Sequence, residues 1–197
     1  MKKIAFFDFD GTITTKDTLL EVIKYQKGKV DFYIGFLLNA PFLIGLKMKL
    51  VSNQAAKERM LGYFFKGMEL KSFQLGCDEF IDNALPAMIR PGALEEIARL
   101  KVQGFEIVVV SASPVNWIKK WSDAVGLGLI ASKLQTANGA LTGYIDGVNN
   151  NAGEKAVRIK AEYNLSDYNE IYCYGDSSGD KAMLALGTKI FYKPFRK

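Results

Sequence analysis

Two aspartates stand two residues apart in "FFDFDGTITTKD", Phe6 to Asp17, directly after the apolar run "IAFF". In an extended strand alternate side chains share a face, so Asp8 and Asp10 are predicted to lie side by side if the strand stays regular. Two carboxylates held that close repel unless a cation lies between them or one is protonated. Gly11 then permits a sharp turn out of the strand. A polar strand end before a turn is the plain alternative for any single DxDG. A calcium loop fits worse, because Ile13 stands where such a loop needs its glycine and a strand precedes it.

The same chemistry recurs after two later apolar runs. "FEIVVV" (105–110) leads into Ser111, Ala112 and Ser113, and "EIYCY" (170–174) leads into "GDSSGD" with Asp176 and Asp180. Ligands of an open parallel sheet bind beyond the carboxyl ends of its strands, so all three tips are predicted to meet at one edge. Ser113, just before Pro114, is expected to cap a helix over 114–126. Ser111, at the strand tip, has no such structural explanation. Asp180 fits a first-turn helix acid as well as a support for a metal site. Lys155 begins a helix expected over 153–164, where a cation costs about 0.3–1 kcal/mol. A neighbouring anion would account for it; an ordinary solvated lysine is the alternative. "GVNNNAGEK" is not a Walker A loop, since Glu154 separates glycine from lysine and no Ser or Thr follows.

The chain of 197 residues contains no histidine. That removes Ser-His-Asp triads, histidine-ligated zinc and imidazole bases, leaving carboxylates, hydroxyls, lysine or a metal to act. Three carboxylates, a hydroxyl and a lysine suit a hard, oxygen-liganded ion such as Mg²⁺ holding a phosphate. The 26 basic and 21 acidic residues give a net charge of +5, scattered rather than blocked, so nucleic acid is not an expected partner. Cys77 and Cys173 lack metal spacing and are expected as buried apolar residues, which suits a reducing cytoplasm. "MKKIAFFDFD" meets acids after a short apolar run and has no small-residue cleavage site, so it is not expected to be a signal peptide.

These motifs need a scaffold of alternating strands and helices, an α/β fold with a parallel sheet. "ANGA" between "LIASKLQT" and "LTGYIDG" signals a hairpin. "TKIFYK" is expected as a last strand, and "NNN" at 149–151 is the one biased segment. A strand–helix–strand crossover needs on the order of 30 residues, but Asp10 and Ser111 are far more widely separated. The surplus, residues 15–87, is expected to be a helical cap inserted into a core made of 1–14 and 88–197.

Together "DFDGT", "VVVSAS", Lys155 and "GDSSGD" resemble, in order and setting, the haloacid dehalogenase superfamily of phosphatases. The likeness spans the chain and implies a Rossmann-like core. It further implies Asp8 as nucleophile and Asp10 as the general acid that protonates the leaving oxygen and later activates water. Ser111 and Lys155 would hold the phosphoryl group. Mg²⁺ would be bound by the Asp8 carboxylate, the Asp10 backbone carbonyl and Asp176, with Asp180 in support. Asp at the second position favours phosphatase over dehalogenase chemistry, since an alkoxide leaving group needs a proton.

The inserted helices resemble the cap of the subclass that includes phosphoserine phosphatase. Those enzymes carry a glutamate and two glycines where this chain has Asp17, Ala112 and Ser113; the departure argues against a phosphoserine pocket, and Asp17 and Ala112 are the expected substrate contacts at those positions. The cap stretch "FYIGFLLNAPFLIGLKMKLV" (32–51) is too interrupted for a confident spanning helix. It is either the core of the cap or an interfacial surface for a lipid phosphate, with Lys47 and Lys49 near anionic headgroups. The arrangement also resembles phosphatidylglycerophosphatase C. Of small-molecule and lipid phosphomonoesters, the expected substrate is a lipid phosphate such as phosphatidylglycerophosphate, with peripheral membrane contact through the cap; phosphoserine or another small-metabolite phosphate is the alternative. Trp117 and Trp121 are expected as core. A non-catalytic module that senses Mg²⁺ or a phosphorylated partner is the reading from another class.

Overall fold

The computed structural model describes residues 2–48 and 50–196. Five parallel strands form the sheet: β1 (Lys2–Phe7), β2 (Phe105–Pro114), β3 (Gly128–Ser132), β6 (Tyr168–Gly175) and β7 (Lys189–Tyr192), in the order β3-β2-β1-β6-β7. Phe7 stands opposite both Val109 and Tyr174, which brings the tips of β1, β2 and β6 to one edge. β1 ends at Phe7, two residues earlier than the apolar pattern suggests, because the chain leaves the ladder at Asp8 and turns through Gly11 at φ +83°. The two aspartates therefore sit in a loop rather than on one strand face.

Strand periodicity divides the core. Ala5, Phe7, Ile107, Val109, Tyr172 and Tyr174 face one side and are covered by α5 (Pro91–Val102) through Ala93, Ile97 and Leu100. Ile4, Phe6, Val108, Val110, Ile171 and Cys173 face the other. They are covered by Ile159 of α7 (Gly153–Glu162) and by Met183 and Leu184 of α8 (Lys181–Leu184). Both faces being buried explains why these strands are continuous apolar runs. Cys77 and Cys173 are free and buried.

Between β1 and α5 the described residues build four α-helices, α1 (Thr18–Leu38), α2 (Ala40–Lys47), α3 (Asn53–Phe65) and α4 (Leu70–Asn83), followed by a 3₁₀ turn over Leu85–Met88. The departing and returning segments pair with each other, Thr15 N–H donating to Met88 O at 2.8 Å and Arg90 N–H to Ile13 O at 2.8 Å. The hairpin of β4 (Leu134–Ala137) and β5 (Ala140–Ile145) turns through Asn138 and Gly139, both at positive φ. This is the paired left-handed geometry that Asn-Gly favours. β5 lies against α3, where a Cβ on Gly143 would fall 2.5 Å from the Gly62 Cα.

"LIASKLQT" is extended as expected, though it divides at Lys133 into β3 of the main sheet and β4 of the hairpin. Two expectations are corrected. Residues 114–126 are not one helix: β2 runs on to Pro114, a single 3₁₀ turn spans Val115–Trp117, and α6 covers only Lys119–Ala124. Ser113 is consequently inside a strand and caps nothing. Lys49 and the side chain of Lys47, expected near headgroups, lie outside the described residues.

Candidate active site

A cavity of about 370 Å³ opens at the shared strand edge, lined by Asp8, Asp10, Ala112, Ser113, Lys155, Asp176 and Asp180 from the sheet side. Thr15, Lys16, Asp17, Leu19, Asn53 and Lys57 line it from the helical side. Lys155 is buried, and its Nζ donates to Asp8 Oδ1 at 2.5 Å and to Asp180 Oδ1 at 2.7 Å. The cation expected to need an anion thus has two, and the solvated-lysine alternative falls.

One ammonium shared by two buried carboxylates cannot satisfy both. Burial alone would raise Asp180, but the Lys155 charge and hydrogen bond, with donors from Ser177, hold it below its ordinary value. Its Oδ2 accepts from the Asp176 and Ser177 amides at 3.1 and 2.9 Å and from the Ser177 hydroxyl at 2.8 Å. Among the described residues Asp8 has only the Thr12 hydroxyl, 3.0 Å from Oδ2, besides its share of the lysine. Burial therefore pushes Asp8 up to about 7, with Lys155 opposing and Asp180 adding to the rise. For Lys155, burial acts to lower the value and the two carboxylates outweigh it, so the ammonium stays charged.

Asp176 completes the acidic group: one carboxylate oxygen from each of Asp8, Asp176 and Asp180 lies within 4.8 Å of the others. Gly11 makes this approach feasible, since a Cβ there would stand 2.5 Å from Asp176 Oδ2. Burial raises Asp176 too, with the Arg196 guanidinium, its ion-pair partner from the C-terminal segment, opposing. Acids short of positive charge, offering only oxygen donors, fit a hard divalent cation such as Mg²⁺.

The sign of the Asp8 shift gives a first expected result. Between its ordinary 3.8 and about 7 the folded state keeps a proton that the unfolded chain loses, so stability falls as pH rises through that window. Asp17, raised to about 6 by burial and then by the Asp10 charge, adds in the same direction. Without divalent ions the melting temperature should drop from pH 5 to pH 8. Saturating Mg²⁺ should flatten that slope, as thermal melts in EDTA and in MgCl₂ would show. An identical slope in both would remove the ion from this group.

Asp10 is held differently. Its Oδ1 accepts from the Thr18 amide at 2.7 Å and the Thr18 hydroxyl at 2.6 Å, and Oδ2 accepts from the Ser113 hydroxyl at 2.6 Å. Ser111 is fully buried. Its hydroxyl accepts from the Ser113 amide at 3.0 Å and lies 3.5 Å from Asp10 Oδ2. Of the two serines, Ser113 lines the cavity, the reverse of the expected weighting. Trp117 is buried as expected, and its indole N–H donates to Thr18 Oγ1 at 2.9 Å, fixing which way that hydroxyl points. Asp17 caps α1 by accepting from Leu20 N–H at 3.3 Å and still faces the cavity.

Lys57 of α3 escaped the sequence reading. Its Nζ donates to Ala112 O at 2.8 Å and approaches Asn149 Oδ1 at 3.4 Å. Burial lowers its affinity for the proton, with the Asp10 and Asp17 charges opposing. A signal existed: Lys57 falls at helical spacing with Met60, Leu61 and Phe64, on the buried stripe of α3, where a lysine requires a partner.

A family profile described as haloacid dehalogenase-like hydrolase matches residues 5–185. Protein CicA of Caulobacter vibrioides is 30% identical over 195 residues, covering 98% of this chain and 86% of that protein. A crystal structure of a protein of unknown function from Bordetella pertussis Tohama I superposes with a TM-score of 0.84 at 22% identity, over 96% of this chain and 89% of that one. A phospho-aspartyl intermediate analogue of phosphoserine phosphatase superposes with a TM-score of 0.70 at 19% identity, over 96% and 85% of the two chains. At those identities the structures speak for the fold.

Proposed function

The chain belongs to the haloacid dehalogenase-like hydrolases, and from that premise we propose that it is a Mg²⁺-dependent phosphomonoester hydrolase acting through an aspartyl phosphate on Asp8. The observation that carries this reading is the buried Lys155 bridging Asp8 and Asp180 beside Asp176, with Asp10 on the same cavity. Phosphoryl transfer depends mainly on alignment and on neutralising the phosphoryl oxygens. Mg²⁺, held by Asp8, Asp176 and the Asp10 carbonyl with Asp180 in support, would supply that neutralisation. Lys155 would bind phosphoryl oxygens, and the Ser111 hydroxyl, buried outside the cavity lining, would have to turn from Asp10 and the Ser113 amide to join it.

Asp8 Oδ attacks phosphorus as the P–O bond to the alcohol breaks, and Asp10 gives a proton to the leaving oxygen. Oδ1 of Asp10 is committed to Thr18, so the transferable proton resides on Oδ2, where the Ser113 hydroxyl can turn to accept. The Asp10 carboxylate then takes a proton from water, which attacks phosphorus and releases Asp8. A phosphoserine phosphatase of like fold has been described with a phospho-aspartyl intermediate analogue, which supports an aspartyl phosphate as the reading for this cavity. An aryl phosphate assay tests it: turnover should need Mg²⁺, vanish with EDTA and return on adding the ion. Turnover indifferent to EDTA would end the reading.

The finer reading is a lipid phosphomonoester, and a surface of α1 and α2 favours it. Val30, Tyr33, Ile34, Leu37 and Leu38 repeat at helical spacing and are all exposed, Leu37 by 74%. Phe42, Ile44, Met48 and Leu50 extend the exposed apolar surface. An apolar helical stripe facing outward suits the headgroup–acyl boundary of a membrane, and the segment 28–50 carries three lysines against Asp31 alone. No single described helix is long and apolar enough to cross a membrane; α1 and Ala40–Leu46, bent by 58°, pass that test only as a pair.

Lysophosphatidate in anionic vesicles should be hydrolysed with at least about tenfold higher kcat/KM than phosphoserine. Ile34→Glu/Leu37→Glu should remove that advantage while sparing an aryl phosphate, as expected for a lost apolar contact of about 1.5–3 kcal/mol per side chain. Equal rates on both substrates would favour the alternative, a small-metabolite phosphatase.

A further inference from the structure

We propose that the Asn151 carboxamide is a substrate contact that donates a hydrogen bond to a phosphoryl oxygen beside Lys155. The proposal rests on the phosphatase reading of this cavity and adds a residue to it. Asn151 lines the cavity together with Asp8, Lys155, Asp176 and Ser177. Its backbone is engaged, N–H to Asn149 O at 2.6 Å and C=O from the Glu154 amide at 3.2 Å. Among the described residues its side chain makes no hydrogen bond, although the two carboxamides that precede it, Asn149 and Asn150, are bonded to their surroundings.

Those neighbours fix where Asn151 stands. Asn150 is fully buried, its Nδ2 donating to Ser111 O and Ile130 O at 3.0 Å each and its backbone N–H to Ser132 Oγ at 3.0 Å. Asn149 accepts from Ser132 Oγ at 3.1 Å and donates to Asn53 Oδ1 of α3 at 3.0 Å. The loop is thereby clamped to the tips of β2 and β3, and Ala152 is held at φ +53°, outside the usual range for alanine. Asn150 Oδ1 is buried without a partner, but of the three carboxamides it is Asn151's that stands at the cavity.

The opposing loop makes room for it. A Cβ on Gly179 would fall 2.5 Å from Asn151 Oδ1, so the carboxamide occupies the volume that a side chain at 179 would fill. Gly179 is not at positive φ, so its lack of a side chain serves space rather than conformation. With Oδ1 against Gly179, the Nδ2 hydrogens are the end left for the cavity. A carboxamide donating to an anionic oxygen adds a charge-assisted hydrogen bond without adding charge.

The test is calorimetric titration of inorganic phosphate into the Mg²⁺-loaded protein. Asn151→Ala should weaken phosphate by about ten- to hundredfold, the range for a hydrogen bond to a charged group. Mg²⁺ affinity without phosphate should stay within about twofold, since the acids that would hold the ion are untouched. The double variant Asn151→Gly/Gly179→Asn moves the carboxamide across the same space and should recover most of the lost affinity. Wild-type affinity in Asn151→Ala would overturn the assignment. So would a double variant that melts like wild type yet binds phosphate no better than the single one. A wild-type protein that binds no phosphate would instead remove the phosphatase reading, and this proposal with it.

Discussion

Asp8→Asn should lower kcat on any phosphate ester by about 10⁴-fold or more, the scale seen when a nucleophile is removed from an intact site. The fold should not suffer. The amide oxygen can still accept from Lys155 while the amide NH₂ donates to a turned Thr12 hydroxyl, and a neutral group replaces one that burial pushes up to about 7. The variant should therefore melt at or above the wild-type temperature in metal-free buffer at pH 8. Activity lost with stability kept or gained is the signature of a group strained for chemistry. Retained turnover would mean that the nucleophile is another group, and loss of both activity and fold would mean that Asp8 is structural.

Lys155→Met should have the largest effect on stability. The side chain is buried and its ammonium is the ion-pair partner of both Asp8 and Asp180. Removing one partner of a buried charge network leaves uncompensated carboxylates and costs about 3–5 kcal/mol. For a chain of this length that corresponds to a fall of about 10 °C in melting temperature. Turnover should vanish as well, since the phosphoryl oxygens lose their lysine. Adding Asp8→Asn to Lys155→Met should restore part of the stability, because the two residues interact directly and their effects cannot add. Strict additivity in that double-mutant cycle would contradict the shared-cation arrangement.

Much of this was legible in the chain. The strands announce themselves because a sheet buried on both faces leaves no room for polar residues, as in "FEIVVV" and "EIYCY". Asn138-Gly139 marks the hairpin because few other pairs adopt two left-handed residues in succession. Lys155 was conspicuous because a cation at a helix start is out of place without an anion, and the structure supplies Asp8 and Asp180.

The remainder depended on tertiary context. Pro114 after Ser113 has the local form of a capped helix, yet pairing with β3 carries β2 through both residues. Ser113 thereby faces Asp10 instead of a helix end. The split at Lys133 is invisible to a pattern count, since both halves are extended and only their partners differ. Trp117 reaches Thr18 across 99 residues and Lys57 reaches Ala112 across 55, and no local spacing announces either contact or the bond of Thr18 to Asp10. "NNN" has the appearance of a biased loop, whereas Asn149 and Asn150 have distinct hydrogen-bonding partners and Asn151 faces the cavity.

The most direct measurement is a crystal structure of the protein with Mg²⁺ and beryllium fluoride, a mimic of an acyl phosphate. The expected result is beryllium bonded to an Asp8 carboxylate oxygen, with Lys155 on its fluorides. One divalent ion should stand between Asp8, Asp176 and the Asp10 carbonyl, displacing Arg196 from Asp176. Beryllium fluoride on any other residue, or an ion that none of these acids touches, would contradict the account.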